Sequence, residues 1–431
     1  MKRSSEETLQ AKAYSINYGW VVMALLWCLN LVIPMASISI GVMLPTMTEE
    51  LTISPVQAGM LGGAQFLGSA LVALPASIWL SRFNPKMVIF VATFLSSFAL
   101  FLQGWAPTFT ILLAARLLFI IIAASRMTAE VLLIQQWFTS RQIALVISIS
   151  TGVMVSGQMM AVGLTPHLMN LLSGWRNVYF ALGVLMLVGA FLWIVVGRVR
   201  VQVQSPSSER DLSDAGSPIR VLRQYKFLWV LAVAPSGAAL AFASVMTFWP
   251  THAMETLHLS LTEVGALMIL FPLGGIAASF LAGPLSNLLR RRKPFLWLAG
   301  ILLPPIYVAL FTTHLPVLAG ILLLVAGWNA QVWVPIMRTI PFDLQLAPRE
   351  TAVATGLSMT LLPIVGAMGA PLVGGIQELS GSLEIGLLSI VAFPLTLLGG
   401  LLIPETYSYR TEQASETETG EDVTPGTPQS G

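Results

Sequence analysis

The sequence predicts an all-helical integral membrane protein built from two related halves. Of its 431 residues, 55% are hydrophobic and only 10% are charged, whereas soluble proteins carry about 25% charged residues. The segment LTISPVQAGML at 51–61 recurs 206 positions later as LHLSLTEVGAL at 257–267. A Gly-containing apolar stretch and then a basic turn follow each copy. The chain is therefore expected to be a duplicated membrane unit.

The register of this repeat holds without a gap from Leu51 and Leu257 to Ser81 and Asn287. Loop residues align as well as helical ones, which a chance match of two Leu-rich helices would not produce. Internal repeats of this kind are typical of secondary transporters, which bind their solutes between the repeats. The duplication therefore favours a carrier.

Twelve apolar windows are long enough to cross a bilayer, because a spanning helix needs roughly 20 mostly apolar residues. Six windows lie on each side of the stretch 198–225, so we expect an N-terminal six-helix bundle over 18–197 and a C-terminal one over 226–404. The windows are 18–42, 57–80, 87–106, 109–134, 142–168, 176–197, 226–250, 261–286, 294–313, 315–337, 351–377 and 383–404.

Three segments are too polar to span a membrane. Residues 1–17 form a polar N-terminal tail, and 198–225 combine Ser, Pro, Gly and mixed charge, which indicates a flexible linker. The acidic segment 405–431 cannot bury apolar surface and is expected to be disordered. Lys and Arg residues concentrate in the loops on the side of the N-terminus, while the opposite loops keep only Arg176. Both termini of this multi-pass cell-membrane protein are therefore expected in the cytoplasm.

Composition also limits the other function classes. A net charge of +2 spread over inner loops gives no support to nucleic-acid binding. The single cysteine, Cys28, excludes an intramolecular disulfide, and the four His residues lack metal-ligand spacing, so no metal and no cofactor are expected. No paired nucleophile and base is visible, which argues against an enzyme.

The fourth window carries three ionisable residues, Arg116, Arg126 and Glu130, on one helix face. A charge near the bilayer centre costs roughly 2.5–3.5 kcal/mol, so such residues are functional candidates by default. We expect Arg126 to bind an anionic solute, and Glu130 with Arg116 to serve in ion coupling. The alternative is that Arg126 and Glu130, four residues apart, only neutralise each other as a helical pair.

Other polar and aromatic groups inside the windows suit a small polar ligand. The candidates for solute binding are Asn30 in the first window, Thr247 in the seventh, and Trp328, Asn329 and Gln331 in the tenth. Amides in hydrocarbon need partners whatever their function, so interhelical hydrogen bonding is the alternative for Asn30, Asn329 and Gln331.

The basic turns after the second and eighth windows resemble the signature of the major facilitator superfamily, a Gly-x-Leu-x-Asp-Arg-x-Gly-Arg-Arg pattern. The second copy matches it at Gly283, Leu285, Asn287, Arg291 and Arg292. The first copy is degraded to Ser77, Trp79, Ser81, Arg82, Asn84 and Lys86. In this family the loops help to latch the cytoplasmic face, so the resemblance implies gating roles for Ser81, Arg82, Lys86, Asn287, Arg291 and Arg292. Ser81 and Asn287 replace the acidic residue of the pattern.

Further segments resembling this superfamily follow in the expected order along nearly the whole chain: YGWVV at 18–22, AARLL at 114–118, WFTSR at 137–141, GWRNVYF at 174–180 and IPET at 403–406. The YGWVV opening and the Gly-Trp-Arg triplet are also similar, more weakly, to prokaryotic members that take up monocarboxylates and other small anions. The resemblance implies the twelve-helix superfamily fold.

The leading hypothesis is thus a monomeric carrier working by alternating access, with uptake of a small anionic organic solute together with a proton. Proton-driven export of lipophilic or cationic compounds is the first alternative, favoured by an apolar cavity with a single acid. A membrane sensor that binds its ligand without transporting it is the alternative from another class. Apart from the bilayer, a small solute and protons are the expected partners.

Overall fold

The computed structural model describes residues 2–79, 83–198, 227–343 and 348–403, and within this part every regular element is helical. The helices of the first half are α1 Lys2–Ile38, α2 Ile40–Leu51, α3 Pro55–Trp79, α4 Pro85–Trp105, α5 Phe109–Trp137, α6 Ser140–Gly163, α7 Thr165–Leu172 and α8 Trp175–Val196. Those of the second half are α9 Phe227–Val233, α10 Ser236–Thr256, α11 Leu261–Met268, α12 Leu270–Leu288, α13 Pro294–Thr312, α14 Pro316–Gln331, α15 Trp333–Asp343, α16 Pro348–Ser380 and α17 Leu383–Ser389, followed by a 3₁₀ helix at Phe393–Leu402.

The predicted all-helical membrane fold is confirmed. Among the described residues, eleven helical stretches are long and apolar enough to cross a membrane. The remaining predicted window, 57–80, coincides with α3, in which the side chains of 72–79 lie outside the described part of the structure. Two details differ from the prediction: α1 already begins at Lys2, within the expected tail, and the last span changes from an α-helix to a 3₁₀ helix. The linker and the C-terminal tail lie outside the described residues.

The repeat in the sequence corresponds to a repeat in backbone geometry. Thr52 and His258, which are equivalent in the repeat, both adopt a left-handed conformation, with φ of 49° and 53°. Each is followed by a capping arrangement in which Ser54 or Ser260 and the residue three positions later bond to each other's backbone N–H. Such caps satisfy the free N–H groups of the next helix. The loop residues therefore align because each copy needs the same turn.

A second matched pair ties the helices within each half. The Lys86 ammonium at the start of α4 donates to the Ile194 carbonyl near the end of α8, at 2.9 Å. The Lys293 ammonium, 207 positions later, donates to the Leu401 carbonyl at 3.2 Å. Late carbonyls of a helix lack partners within the helix. The two lysines thus cap the last helix of their own half in the same way.

The two halves meet at the end of the molecule that carries the loops 51–54 and 257–260, which we call the closed end. A Cβ added to Gly59 on α3 would lie 2.3 Å from the Ala370 carbonyl oxygen on α16, and one added to Gly63 would lie 2.3 Å from that of Ala367. The backbones of α3 and α16 therefore touch, which only glycine permits. We call this contact the glycine seam.

The repeat places a related contact on the other side of the closed end. A Cβ added to Gly265, the repeat equivalent of Gly59, would lie 2.7 Å from the Val162 carbonyl oxygen and 2.7 Å from Cγ of Pro166. On α2, a Cβ at Gly41 would lie 2.1 Å from the Met246 carbonyl oxygen. Three helix pairs, α3 with α16, α11 with α6 and α2 with α10, thus pack closely between the two halves.

The Gly-Trp-Arg triplet at the start of α8 anchors the first half at the same end. Glu50 at the end of α2 accepts from the Trp175 indole N–H at 2.6 Å and from Arg176 Nε at 2.7 Å. Arg176 Nη1 also donates to the carbonyls of Gly104 and Ala106. One arginine therefore joins α2, the end of α4 and the start of α8.

Candidate functional site

The interior of the first half contains a buried polar group of four side chains, Asn30, Thr93, Arg126 and Glu130, which we call the central cluster. They come from α1, α4 and α5, and none is more than 8% exposed. The Asn30 amide nitrogen donates to both carboxylate oxygens of Glu130, at 2.9 and 3.1 Å. Arg126 donates to the Asn30 amide oxygen and, at 3.5 Å, to the Thr93 hydroxyl.

Asn30 therefore stands between the two charged groups rather than beside them. Its carbonyl faces the guanidinium and its NH₂ faces the carboxylate, so each end of the amide dipole meets the opposite charge. No ion pair within 4 Å joins Arg126 to Glu130, although both lie in the described part of the chain. The helical pair considered from the sequence is thus replaced by a bridge through a third residue on another helix.

Arg116 lies outside the central cluster, although it shares helix α5 with two of its members. It is completely buried, and its guanidinium donates to the carbonyls of Leu61, at 2.7 Å, Ala36, at 3.3 Å, and Ser37. Ala36 and Ser37 end α1, next to the break at Ser39 that separates α1 from α2. Arg116 therefore satisfies carbonyls that the broken helix leaves without partners. The ion-coupling role predicted for it stays a prediction.

A small cavity, with room for about one water-sized group, lies between the two halves, beneath the glycine seam. Residues of α1 to α3 line one side of it and residues of α10 the other. The lining residues are Ser37, Ile38, Ile40, Gly62, Gln65, Phe66, Phe242, Ala243, Met246 and Thr247. The Phe66 and Phe242 rings meet edge to face at 6.5 Å. The wall of the cavity is therefore mainly apolar, with a few polar groups.

The two sites lie at different depths along α1. Ser37, in the cavity wall, and Asn30, in the central cluster, are seven residues apart, a rise of about 10 Å along an α-helix. The cavity is nearer to the closed end, and the central cluster is nearer to the opposite end. A solute group in the cavity therefore has the buried charges on the side away from the glycine seam.

The predicted solute-binding residues of the second half are only partly brought together. Thr247 lines the cavity, and its hydroxyl donates to the Ala243 carbonyl of its own helix at 2.7 Å. Asn329 donates to Val325, also within its own helix, at 2.9 Å. Trp328 and Gln331 lie where α14 packs against Gly274 and Gly275 of α12. The tenth predicted span thus packs against the eighth, and its three candidates do not line the cavity.

The residues predicted to form cytoplasmic gates lie in different settings. Lys86 caps α8 as described above, Asn287 and Arg291 are exposed, and Arg292 is buried. Ser81 and Arg82 lie outside the described residues. Gating roles for all six stay a prediction.

Two residues of the site are not among the solute-binding candidates given above, although the sequence does single out Gln65 in the second window, with interhelical hydrogen bonding as its favoured role. Thr93 joins the central cluster from α4, where it is buried together with Ser96 and Ser97. This spacing of small polar residues on one helix face is a signal that could have indicated a polar interior. Gln65 lines the cavity, and no hydrogen bond engages its side chain among the described residues, so an interhelical bond does not account for it.

Several curated proteins that are similar to this chain are named as transporters. The chain is 24% identical over 389 residues to a probable anion transporter 4, chloroplastic, of Oryza sativa subsp. japonica, covering 83% of this chain and 64% of that one. It is 25% identical to a probable L-galactonate transporter of Escherichia coli (strain K12), covering 56% of each chain. It is 20% identical to a probable sulfoacetate transporter of Cupriavidus necator, covering 85% of this chain and 87% of that one. The chain thus spans between about half and two thirds of the length of the first two of these relatives, and 87% of the length of the third.

Solved structures show the same fold at low sequence identity. A bacterial homologue of the human lysosomal transporter Spinster, described as inward-facing and unoccupied, matches with a TM-score of 0.73 and 18% identity, covering 96% of this chain and 99% of that one. A point mutant of the nucleoside transporter NupG matches with a TM-score of 0.69 and 14% identity, covering 90% of this chain and 99% of that one.

The family model described as Major Facilitator Superfamily matches twice, at residues 26–252 and 235–428. The two matches together cover most of the sequence, one for each copy of the repeat. With two helical halves and a cavity between them, the chain belongs to the Major Facilitator Superfamily of membrane transporters.

Proposed function

We propose that the chain is a secondary carrier that moves a small organic anion together with a proton, by alternating access between its two halves. The observation that carries this proposal is the charge of the interior. Within the described spans, the buried Asp, Glu, Lys and Arg side chains are Arg116, Arg126 and Glu130. Two guanidinium groups against one carboxylate leave an excess of positive charge in a medium of low polarity, which attracts an anion and repels a cation.

The central cluster supplies a physical route for coupling. When Glu130 is ionised, both of its carboxylate oxygens accept from the Asn30 amide nitrogen, and the Asn30 carbonyl in turn accepts from Arg126. Protonation of Glu130 removes the negative charge that offsets Arg126, so the guanidinium is then available to an anionic group. Because linkage is reciprocal, a bound anion favours the proton on Glu130 by the same factor.

The names of the relatives support an anionic solute for this chain, since they refer to anion, L-galactonate and sulfoacetate transport. The distribution of Lys and Arg in the loops supports a closed end that faces away from the cytoplasm. We infer on this basis that the described conformation opens towards the cytoplasm, with the solute released on that side during uptake.

Export of lipophilic cations is the second candidate, and one observation favours it. The cavity wall contains Phe66 and Phe242, whose ring faces would bind an apolar or cationic compound. In that case Glu130 would carry the proton, and Arg126 would be dispensable.

Flux measurements in proteoliposomes separate the two candidates. Wild-type protein, Arg126→Gln and Glu130→Gln are compared over small carboxylates and lipophilic cations, with Arg290→Gln and Glu49→Gln as controls at exposed positions. The proposal predicts that Arg126→Gln abolishes anion uptake, while Glu130→Gln retains anion exchange but loses accumulation driven by a pH gradient. Cation flux that depends on Glu130 and is unaffected by Arg126→Gln would instead establish export.

A further inference from the structure

The cavity between the halves has a hydrogen-bonding character that selects part of the solute. Ser37 donates its hydroxyl proton to the Ile33 carbonyl at 2.7 Å, and Thr247 donates to the Ala243 carbonyl at 2.7 Å. Each hydroxyl proton is therefore already used within its own helix. The oxygens of Ser37 and Thr247 can only accept further hydrogen bonds.

Gln65 is the lining side chain with hydrogen-bonding capacity to spare. In the part of the chain that the structure describes, nothing bonds to its amide, which offers two donors and a carbonyl acceptor. It is half-buried on α3, one residue before Phe66, whose ring closes the wall towards Phe242. An amide in this position needs a partner once water is displaced, since an unpaired polar group in an apolar site is costly.

None of the described lining residues carries a charge. A carboxylate could accept from the Gln65 amide, but it would lie against two oxygens that also only accept, with no cation among the described lining residues to offset its charge. A hydroxyl group, which donates and accepts, would instead satisfy the Ser37 or Thr247 oxygen and the Gln65 amide together. The cavity thus suits a neutral hydroxylated part of a solute and disfavours its anionic part.

We propose that the cavity is a hydroxyl-recognition subsite, with Gln65 as its specificity-determining residue, and that the solute is a hydroxylated carboxylate. This inference rests on the proposed function, because the carboxylate is assigned to Arg126. The rise of about 10 Å between Ser37 and Asn30 along α1 places the recognised hydroxyl at the end of the solute remote from the carboxylate.

The test compares uptake of a six-carbon aldonate with uptake of the same aldonate lacking its terminal hydroxyl. Wild-type protein is expected to favour the hydroxylated compound by about tenfold, the effect of one or two hydrogen bonds. Gln65→Met keeps the side-chain length but removes the amide, so it should bring this ratio close to one. Gln103→Met, at a buried amide remote from the cavity lining, is the matched control and should keep the wild-type ratio.

The outcomes distinguish this subsite from the proposed function. Equal uptake of the two compounds by wild-type protein, or a wild-type ratio in Gln65→Met, would overturn the subsite while Arg126-dependent anion uptake still supported the carrier. If wild-type protein transported no carboxylate and exported cations, the proposed function would fail together with the subsite. Size-exclusion profiles of both Met variants show whether the variants are folded.

Discussion

Replacing Gly59 with alanine should weaken the glycine seam and shift the protein away from the described conformation. The added Cβ would lie 2.3 Å from the Ala370 carbonyl oxygen, 2.6 Å from its carbonyl carbon and 2.7 Å from the Pro371 Cα. All three are backbone atoms, so no side-chain rotation relieves the overlap. Ordinary contact begins at 3.4 Å, and α3 and α16 must therefore separate by about 1 Å.

The energetic effect follows from this overlap. Extra methyl groups in well-packed regions typically cost about 1–3 kcal/mol. Because the seam exists only while the closed end is shut, this cost falls on one conformation and leaves the other unaffected. With 1.4 kcal/mol for each factor of ten, the equilibrium should shift by about five- to 150-fold towards opening of the closed end.

Spin labels on the two halves measure this shift. Glu49 and Glu255 are exposed, are equivalent in the repeat and lie near the closed end on opposite halves. Cysteines at these two positions, in a Cys28→Ser background, carry the spin labels. Pulsed electron paramagnetic resonance then measures the distribution of distances between the two labels. Gly59→Ala should populate a longer distance than the wild-type protein shows.

Gly152→Ala on α6 is the matched control, since a Cβ there meets nothing within 4 Å. It should reproduce the wild-type distances. If Gly59→Ala also gave the wild-type distribution, the glycine seam would not hold the closed end shut, and the argument from backbone contact would be refuted.

Three further predictions concern stability in detergent. Arg116→Met removes the guanidinium that bonds to three buried carbonyls and should abolish recovery of folded protein, which size-exclusion yield measures. Arg116→Lys should only lower the Tm, because one ammonium cannot make all the hydrogen bonds of a guanidinium. Lys86→Met and Lys293→Met should each lower the free energy of unfolding by about 1 kcal/mol. The two losses should add in the double variant, because the caps lie far apart in separate halves. Unequal or non-additive decreases in Tm would contradict the matched roles. Glu50→Gln should lower the Tm only slightly, because its ion pair with Arg176 is partly exposed, and the difference from wild type should shrink at high salt.

The helices and the duplication could be predicted from the sequence because both depend on local properties. Apolar length determines where a helix can span, and a turn needs the same cap in each copy, as the pairs Thr52 with His258 and Ser54 with Ser260 illustrate. The irregularities were not predictable in this way. The break at Ser39 and the 3₁₀ helix at Phe393–Leu402 lie inside continuous apolar windows, and they depend on tertiary contacts that hydropathy does not register.

The candidate site was predictable in its charges but not in its connections. Arg126 and Glu130 stand out as charges in an apolar helix, and both are buried as that pattern implies. Their partner Asn30 lies 96 residues before Arg126, on another helix, so spacing along α5 could indicate only a direct pair. Arg116 has the same sequence signature as Arg126 but bonds to backbone carbonyls, and no pattern of side chains predicts that difference.

The matched lysine caps and matched turns have a consequence for the roles of the two copies of the repeat. The copies agree where the chain turns and where helices end, yet the stretch 322–337, which corresponds to the charged part of α5, contains no ionisable residue. The proposed ion coupling through Glu130 therefore depends on the first copy of the repeat. A chimaera that keeps the N-terminal half and takes its C-terminal half from a related carrier should accordingly keep its proton dependence and change its choice of solute.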